Sequence, residues 1–238
     1  MIPTHAVTWH EVENGSYDAD LFLWRELAAA ADGPILDLGA GTGRVAAHLA
    51  AGGHELVALD LDPELLAVLR ERAPEVETVR ADARDFELDR TFALVIAPMQ
   101  LAQILGGPDA RAAMLRRVHA HLRPGASFAA ALTDLGEVIM DETASPPLPD
   151  MLERDGWVFS SQPVSLTMDD DGLVVERRRQ AVSPAGEIEE STTAVAFDYV
   201  SPARFEAEAR AAGLEPGERR EIPESLDHFG STVVTCRR

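Results

Sequence analysis

The sequence contains very little cysteine and no long apolar run. Cys236 is the one cysteine among 238 residues, which excludes a disulfide framework and a cysteine metal cluster and fits a reducing setting. No apolar run approaches the ~20 residues that a membrane-spanning helix requires. The first residues show no basic segment followed by an apolar one, so we expect no secretory signal. The sequence therefore predicts a cytoplasmic protein without a membrane partner.

Basic side chains are also scarce, and lysine is absent. The chain carries 21 Lys+Arg, all of them arginine, against 41 Asp+Glu, which gives a formal charge of −20. Such a surface repels phosphate backbones and anionic lipids, which disfavours nucleic acid as a partner. With 46% hydrophobic and 26% charged residues, the composition is that of an ordinary globular protein. We therefore expect a small-molecule substrate, neutral or cationic.

A pattern of strand, glycine turn and helix covers residues 35–50, with the sequence ILDLGAGTGRVAAHLA. An apolar run interrupted by Asp37 predicts a buried strand, and a helical pattern follows the turn. Between them lie Gly39, Gly41 and Gly43, which allow a sharp turn and a close approach to a ligand. This arrangement is typical of a nucleotide-binding α/β unit whose helix N-terminus faces the ligand.

The spacing of the glycines separates two cofactor classes. A dinucleotide fingerprint, G-x-G-x-x-G, would place its third glycine at Arg44, whereas the glycine comes one residue earlier. The acid before the loop, Asp37, suits a cationic amine and disfavours a pyrophosphate. With Asp37 before it and Asp60 at the end of the next predicted strand, the loop resembles the first two motifs of the class I S-adenosylmethionine-dependent methyltransferases.

The resemblance implies S-adenosylmethionine as the cofactor and gives roles to residues that match by position. Asp60 would accept hydrogen bonds from both ribose hydroxyls, and Leu61 would pack on the adenine. Asp82 would accept the adenine amino group, with Ala83 beside the ring. An aromatic residue at the start of the first helix can line the pocket in this family, and Tyr17 matches it. The predicted cofactor-binding residues are Tyr17, Asp37, Gly39, Ala40, Gly41, Gly43, Asp60, Leu61, Asp82, Ala83, Ala97 and Met99.

The fourth predicted strand covers residues 92–97. In this family, the segment that follows this strand places side chains beside the methyl group of the cofactor. Here it begins Pro98-Met99-Gln100 and departs from the N/D-P-P-Y pattern of enzymes that methylate base amines or glutamine amides. Gln100 and Gln103 are predicted to orient a substrate by hydrogen bonds. The alternative is that both lie on a helix surface.

Catalytic residues are not identified by any motif. A general base is needed only if the nucleophile is protonated, and the weak candidates are His10, Asp134, Glu137 and His228. The sequence has no paired-carboxylate motif, metal-ligand spacing or nucleophile elbow, so we predict no metal site.

The resemblance implies an α/β fold with a doubly wound, mostly parallel sheet of seven strands, in the order 3-2-1-4-5-7-6 with strand seven antiparallel. Within residues 1–33, residues 1–16 are predicted to form an irregular arm, and a helix that covers the cofactor is predicted to follow. Residues 34–140 and 201–238 would form the core. Residues 141–200 would form an inserted lid or homodimer contact.

Within the predicted insertion, a Pro-rich loop over residues 141–150 precedes an antiparallel meander of three strands, at residues 157–167, 173–182 and 188–199. The run Arg177-Arg178-Arg179 is predicted to be a solvated strand face. A carboxylate-binding role is the alternative.

The predicted reaction is methyl transfer to a nitrogen or oxygen nucleophile of a small molecule. The cofactor would supply the reactive methyl group, and the protein would supply binding and in-line orientation. Three alternatives stay open: a cofactor-binding regulatory protein on this fold, methylation of a protein side chain, and an NAD-linked oxidoreductase, which Arg44 opposes.

Overall fold

The protein is described by a computed structural model that covers residues 6–133, 148–168, 172–224 and 230–238. Its helices are α1 (Ala6–Asn14), α2 (Leu21–Ala29), α3 (Arg44–Ala51), α4 (Pro63–Arg72), α5 (Leu101–Ile104), α6 (Pro108–His121) and α7 (Pro202–Ala211). Its strands are β1 (Ile35–Leu38), β2 (Leu56–Asp60), β3 (Glu77–Arg80), β4 (Phe92–Ala97), β5 (Leu122–Thr133), β6 (Asp150–Arg154), β7 (Trp157–Met168), β8 (Gly172–Val182), β9 (Ile188–Asp198), β10 (Glu215–Pro216), β11 (Arg220–Ile222) and β12 (Ser231–Arg237).

The chain divides into two compact units. The larger unit comprises residues 18–134 and 200–238, and the smaller one comprises residues 1–17 and 135–199. The predicted N-terminal segment, residues 1–33, is therefore divided between the two units, because α1 belongs to the smaller unit and α2 to the larger.

The larger unit contains the predicted doubly wound sheet. Strands β1 to β5 are parallel and lie in the order β5-β4-β1-β2-β3, and β12 pairs antiparallel with β5. β10 and β11 both pair antiparallel with β12. This confirms the predicted class and strand order, with one difference. The sixth predicted strand is two short strands, β10 and β11, and between them the carbonyl of Glu218 accepts a hydrogen bond from the side-chain hydroxyl of Thr235 in β12 at 2.7 Å.

Local sequence signals explain where the helices of this unit begin. The side chain of Asp62 accepts a hydrogen bond from the backbone N–H of Glu64 at 2.8 Å, and Pro63 occupies the first turn of α4. Ser201 caps α7 in the same way, by accepting from the N–H of Arg204 at 3.3 Å. Both caps confirm the predicted helix starts. Apolar side chains of the sheet and of α6 and α7 then form one continuous buried core.

The smaller unit is an antiparallel sheet in the order β6-β7-β8-β9. The prediction of three strands was wrong by one, because the end of the predicted Pro-rich loop opens β6, which pairs with β7 from Asp150 to Arg154. The side chains of β6 are mostly exposed, and the strand is held by backbone hydrogen bonds. Its sequence therefore shows little of the alternation of apolar and polar residues that predicts a strand.

The prediction of an irregular arm was wrong for residues 6–14, which form α1. Trp9 and Val12 lie one turn apart and pack against Phe159 and Ala181 of the sheet. The ring of Trp9 meets the edge of Phe159 with their centroids 5.8 Å apart. Burial of these side chains stabilises a helix that would be too short to form alone.

No helix in the described ranges is both long enough and apolar enough to cross a bilayer.

Candidate cofactor and substrate site

The predicted glycine loop connects β1 to α3 at the carboxyl ends of the parallel strands. The φ angle of Gly39 is +67° and that of Gly43 is +85°, in the region that disfavours side chains. Packing also requires glycine here. A Cβ on Gly39 would lie 2.9 Å from Leu101, and one on Gly43 would lie 2.1 Å from Leu69. The loop is therefore a narrow backbone turn packed against neighbouring leucines.

Asp37 is buried in the middle of β1, with 1% of its surface exposed. Neither of its carboxylate oxygens accepts a hydrogen bond of ordinary geometry from the described residues. The pKa of Asp37 is raised to about 8, mainly by burial and also by the nearby charges of Asp60 and Asp20, which together outweigh the lowering by Arg44 and by the backbone N–H of Ala46. A buried carboxyl without a partner is costly, and a cationic group bound at the loop would offset that cost.

Arg44 is the residue that stands where a dinucleotide fingerprint has its third glycine. Its guanidinium donates two hydrogen bonds to the buried carboxylate of Asp20, at 2.5 and 2.8 Å. The indole N–H of Trp24 donates to the same carboxylate at 2.8 Å. This pair joins the first turn of α3 to the N-terminus of α2. The sequence signalled Arg44 only as a missing glycine and did not single out Asp20.

Asp60 ends β2 and faces the glycine loop. One of its oxygens accepts a hydrogen bond from the backbone N–H of Gly41 at 2.8 Å, and the other accepts from that of Asp62 at 2.9 Å. Each carboxylate oxygen has a second lone pair, so both can still accept a hydrogen bond from a ligand. The next residue, Leu61, is 59% exposed, which makes it a large apolar side chain open to solvent beside this carboxylate.

Asp82 follows β3, and its carboxylate is held by Arg84. The guanidinium of Arg84 donates to both oxygens, at 2.6 to 3.1 Å, and its backbone N–H donates at 2.8 Å. The hydrogen bond from this side chain holds the pKa of Asp82 below its usual range. The carboxylate is therefore charged and fixed in direction. Ala83 beside it is buried.

The residues after β4 form the other side of the point where the strand order reverses, between β1 and β4. Ala97 is buried, and Met99 has a φ of +54°, which is uncommon for a residue with a side chain. Backbone strain of this kind is concentrated at functional sites. Gln100 then precedes the first turn of α5.

Both predicted substrate residues are bonded to the end of β5. Gln100 donates its side-chain N–H to the hydroxyl of Thr133 at 2.8 Å. Gln103 is 1% exposed and exchanges two hydrogen bonds with the backbone of Thr133. Ser231 completes the group, since its hydroxyl lies 3.2 Å from that of Thr133. No motif points to Thr133 or Ser231, because a single hydroxyl at a strand end is common.

Of the predicted site residues that the structure describes, two belong to the smaller unit. Tyr17 follows α1, and its side chain is buried. His10 lies within α1, where its carbonyl accepts a hydrogen bond from the Asn14 side chain at 3.1 Å. Their predicted roles in cofactor binding and catalysis stay predictions. The other catalytic candidates, Asp134, Glu137 and His228, lie outside the described residues.

Other polar side chains of the described residues form contacts that hold the fold. Among the residues that the structure covers, no group of three or more His, Cys, Asp or Glu side chains could hold a metal ion. His121 accepts a hydrogen bond from the N–H of Leu88 at 2.9 Å, and its other ring nitrogen lies 2.7 Å from the carbonyl of Arg117. Arg111 is buried against Glu208, which ties α6 to α7.

These observations fit S-adenosylmethionine. The orphaned carboxylate of Asp37 suits the ammonium group of the cofactor's methionine portion, and the free lone pairs of Asp60 suit a ribose. Exposed Leu61 and the oriented carboxylate of Asp82 suit an adenine, which has a flat apolar face and an amino group.

Comparison with known proteins supports this fit. Residues 35–125 match the family described as "Methyltransferase domain". The "Cypemycin N-terminal methyltransferase" of Streptomyces sp is 28% identical over 204 residues, which is 83% of this chain and 79% of that protein. Other curated relatives match over 34% to 52% of their own length.

Two solved structures resemble the whole chain. The sugar N-methyltransferase KedS8 from Streptoalloteichus sp has a TM-score of 0.76 at 20% identity and covers 100% of this chain and 95% of its own. The SAM-bound amino pentose methyltransferase CalS10 from Micromonospora echinaspora has a TM-score of 0.72 at 21% identity and covers 100% and 99%. At these identities, the likeness establishes a shared fold.

Proposed function

We propose, from the premise that this chain is a class I S-adenosylmethionine-dependent methyltransferase, that it methylates an amine nitrogen of a small molecule. S-adenosylmethionine supplies an electrophilic methyl group on sulfur, and the chain supplies the binding and orientation of both reactants. The observation that carries the proposal is the neutral polar group at the ends of β4, β5 and β12, formed by Gln100, Gln103, Thr133 and Ser231.

Neutral side chains at this position favour an amine over an alcohol. A neutral amine has a lone pair ready for attack, whereas an alcohol needs a base to remove its proton. Amides and hydroxyls can orient either acceptor but cannot deprotonate an alcohol. The names of two similar proteins agree with this choice, since one is an N-terminal methyltransferase and the other is a sugar N-methyltransferase.

The cofactor would be held by residues along the ends of β1, β2 and β3. Asp37 would pair with the ammonium group, and Asp60 would accept the ribose hydroxyls. Asp82, held by Arg84, would accept the adenine amino group beside Ala83, and Leu61 would cover the ring. These assignments rest on the burial of Asp37, the free lone pairs of Asp60, the orientation of Asp82 by Arg84 and the exposure of Leu61.

Calorimetric titration with S-adenosylhomocysteine tests the cofactor site directly. We expect Asp60→Ala to lose most of the affinity, since one carboxylate would contact two ribose hydroxyls. Asp62→Ala is the matched control, because Asp62 lies two residues away and caps α4. Equal affinities of wild type and Asp60→Ala would refute the ribose role. Binding of NAD in place of the homocysteine ligand would overturn the cofactor assignment.

The acceptor is tested with matched pairs of compounds. Each amino sugar is offered beside the sugar that carries a hydroxyl at the same carbon, and a short peptide with a free N-terminus is offered beside its acetylated form. We expect methylation of amines only, detected by mass spectrometry. Transfer to the hydroxyl compounds alone would contradict the proposal.

We extend the proposal to a homodimer formed along the smaller unit's sheet. Among the strands that the structure describes, β9 is an edge strand of eleven residues whose one partner is β8, and exposed edges of this length tend to pair with another chain. Ile188 at its start is 66% exposed. Analytical ultracentrifugation should give a dimer that Ile188→Glu weakens, and a wild-type monomer at micromolar concentration would contradict this.

We also propose a cytoplasmic location. Cys236 is a free and buried cysteine, and burial raises the pKa of its thiol to about 12. Unpaired thiols persist in reducing compartments. Recovery of the protein from the medium or from membranes after cell fractionation would contradict this location.

A further inference from the structure

Four polar side chains from three neighbouring strand ends meet in the larger unit. We call Gln100, Gln103, Thr133 and Ser231 the amide–hydroxyl cluster. Thr133 is the last residue of β5, and Ser231, the first residue of β12, is its direct partner in the ladder. Gln100 lies three residues beyond the end of β4, the strand beside β1. Ligands bind at the carboxyl ends of strands where the order reverses, so the cluster lies at that edge.

Gln103 has both ends of its amide bonded to one residue. Its N–H donates to the carbonyl of Thr133 at 3.0 Å, and its oxygen accepts from the N–H of Thr133 at 2.9 Å. These two bonds fix the end of β5, since they satisfy both backbone groups of its last residue. Gln103 is also 1% exposed, so its amide has little surface to offer a substrate.

Gln100 has unused hydrogen-bonding capacity. Its side-chain nitrogen is only a donor, so the hydroxyl of Thr133 must accept that bond. In the described part of the chain, the amide oxygen of Gln100 and its second N–H make no further hydrogen bond. Gln100 is half-buried, whereas Gln103 and Thr133 are buried. The hydroxyl of Thr133 therefore fixes the amide nitrogen of Gln100, and the amide oxygen is held in one direction with its capacity to accept a hydrogen bond unused among the described residues.

The two hydroxyls add one free donor. The contact between Thr133 and Ser231 uses one hydroxyl hydrogen, whichever of the two donates it. The other hydroxyl hydrogen is not used within the cluster. The cluster thus presents an acceptor and donors without net charge, which matches a neutral group that both donates and accepts, such as an amine beside a hydroxyl.

We propose that Gln100 orients the acceptor amine by accepting a hydrogen bond from its N–H, and that Gln103 and Thr133 are positioning residues that hold Gln100. This inference rests on the proposed N-methylation. An amine held by its N–H keeps its lone pair free, and the lone pair points away from the amide oxygen. Orientation of this kind is the main contribution that a protein makes to a displacement reaction between two bound reactants.

The test compares kcat and KM for Gln100→Leu, Thr133→Val and the double variant, using the amine found by the acceptor screen. We expect Gln100→Leu to lower kcat/KM about 10- to 100-fold, because one directed hydrogen bond to the acceptor is lost. Thr133→Val should lower kcat/KM about 3- to 10-fold, since the Gln100 amide stays in place but loses the hydrogen bond that holds it. The double variant should be no worse than Gln100→Leu, because both changes act through one amide.

Two controls separate orientation from folding. Thr235→Val removes a hydroxyl at the other end of β12 that bonds to a backbone carbonyl, and it should leave kcat/KM unchanged. The affinity for S-adenosylhomocysteine should be the same in all variants. Where Gln100→Leu does not fold, Gln100→Asn shortens the same amide by one methylene and should show the same loss.

A charged substitution gives a readout that a purely structural role would not move. In Gln100→Glu, the carboxylate would favour the protonated amine, so the kcat–pH profile should shift upward by about one unit. An unshifted profile together with an unchanged kcat/KM in Gln100→Leu would overturn the inference alone. Absence of N-methylation by the wild type would overturn the proposed function, and with it this inference.

Discussion

Replacing Asp20 with asparagine should destabilise the protein strongly, because it removes the buried charge that accepts two hydrogen bonds from the Arg44 guanidinium. The carboxylate of Asp20 is 1% exposed and accepts two hydrogen bonds from Arg44. Asparagine has the same size and can still accept the bond from the Trp24 indole. The substitution therefore removes the charge while it preserves the packing.

The magnitude follows from the burial of the pair. Removing one partner of a buried ion pair costs about 3–5 kcal/mol. The Arg44 side chain is 11% exposed, so we expect the lower end, about 3 kcal/mol. Its position in the first turn of α3 adds to the loss, since the helix dipole disfavours a cation there. With a urea slope of about 2 kcal/mol per molar, the midpoint should fall by about 1.5 M.

The assay is urea unfolding of a double-mutant cycle with Asp20→Asn and Arg44→Gln. Arg44→Gln should also destabilise, and the double variant should lose less than the sum, with a coupling free energy of at least about 1.5 kcal/mol. Glu26→Gln, which breaks an exposed pair with Arg220, is the control and should leave the midpoint unchanged. Simple additivity of the two substitutions would refute the claim that this pair holds α2 to α3.

Three further predictions follow from the site. Gly43→Ala should lower the melting temperature far more than Gly53→Ala, although both glycines have a left-handed φ. A Cβ at position 43 would lie 2.1 Å from the Leu69 side chain, whereas a Cβ at position 53 would meet no atom within 4 Å. Equal losses would remove the packing argument. The pKa of Asp37 is raised to about 8, mainly by burial, so the unfolded chain releases this proton at a lower pH than the folded protein does. The contribution of the protonated carboxyl to stability is therefore lost as the pH rises from ~4 toward the pKa of the folded protein. Asp37→Asn should flatten this decline in urea unfolding of the ligand-free protein, and an unchanged slope would contradict it. Leu61→Ser should weaken S-adenosylhomocysteine binding several-fold in calorimetry while the unfolding midpoint stays constant, since Leu61 is exposed; a shifted midpoint with unchanged affinity would oppose the adenine role.

The core of the fold was predictable because its signals are local and repeated. The glycine loop, the acids that follow strands and the caps at Asp62 and Ser201 each specify a turn between a strand and a helix. Apolar strands then leave few ways to build a parallel sheet. These features explain why residues 35–135 carried the resemblance, which in turn implied the class and the strand order.

The smaller unit was harder to predict, because its stability depends on contacts between distant residues. α1 is short, and its burial of Trp9 depends on Phe159, which is remote in sequence. The arginine run was expected to be solvated as a whole. Strand alternation instead places Arg177 and Arg179 on one face, where both pair with Glu13 of α1, and Arg177 also pairs with Asp150. Their neighbour Arg178 is exposed, so the prediction holds for that residue only.

A motif in the sequence proposes some residues of the candidate site, whereas others appear only in the geometry. Sequence position singled out Asp37 and Asp60 as candidates. It could not show that Gln103 is occupied by the backbone of Thr133, or that Arg84 holds Asp82, because such pairings are set by side-chain geometry at the ends of strands. Asp20 carries no motif at all, although it is the partner of the residue that interrupts the dinucleotide pattern.

The proposed reaction is the transfer of a methyl group from S-adenosylmethionine to a small-molecule amine. Mass spectrometry of matched amine and hydroxyl acceptors, incubated with the protein and the labelled methyl donor, measures this reaction directly. Label should appear on nitrogen in the amine compounds and should be lost in Asp60→Ala. Label on oxygen alone, or tight cofactor binding without transfer to any acceptor, would contradict it and would favour an O-methyltransferase or a regulatory protein.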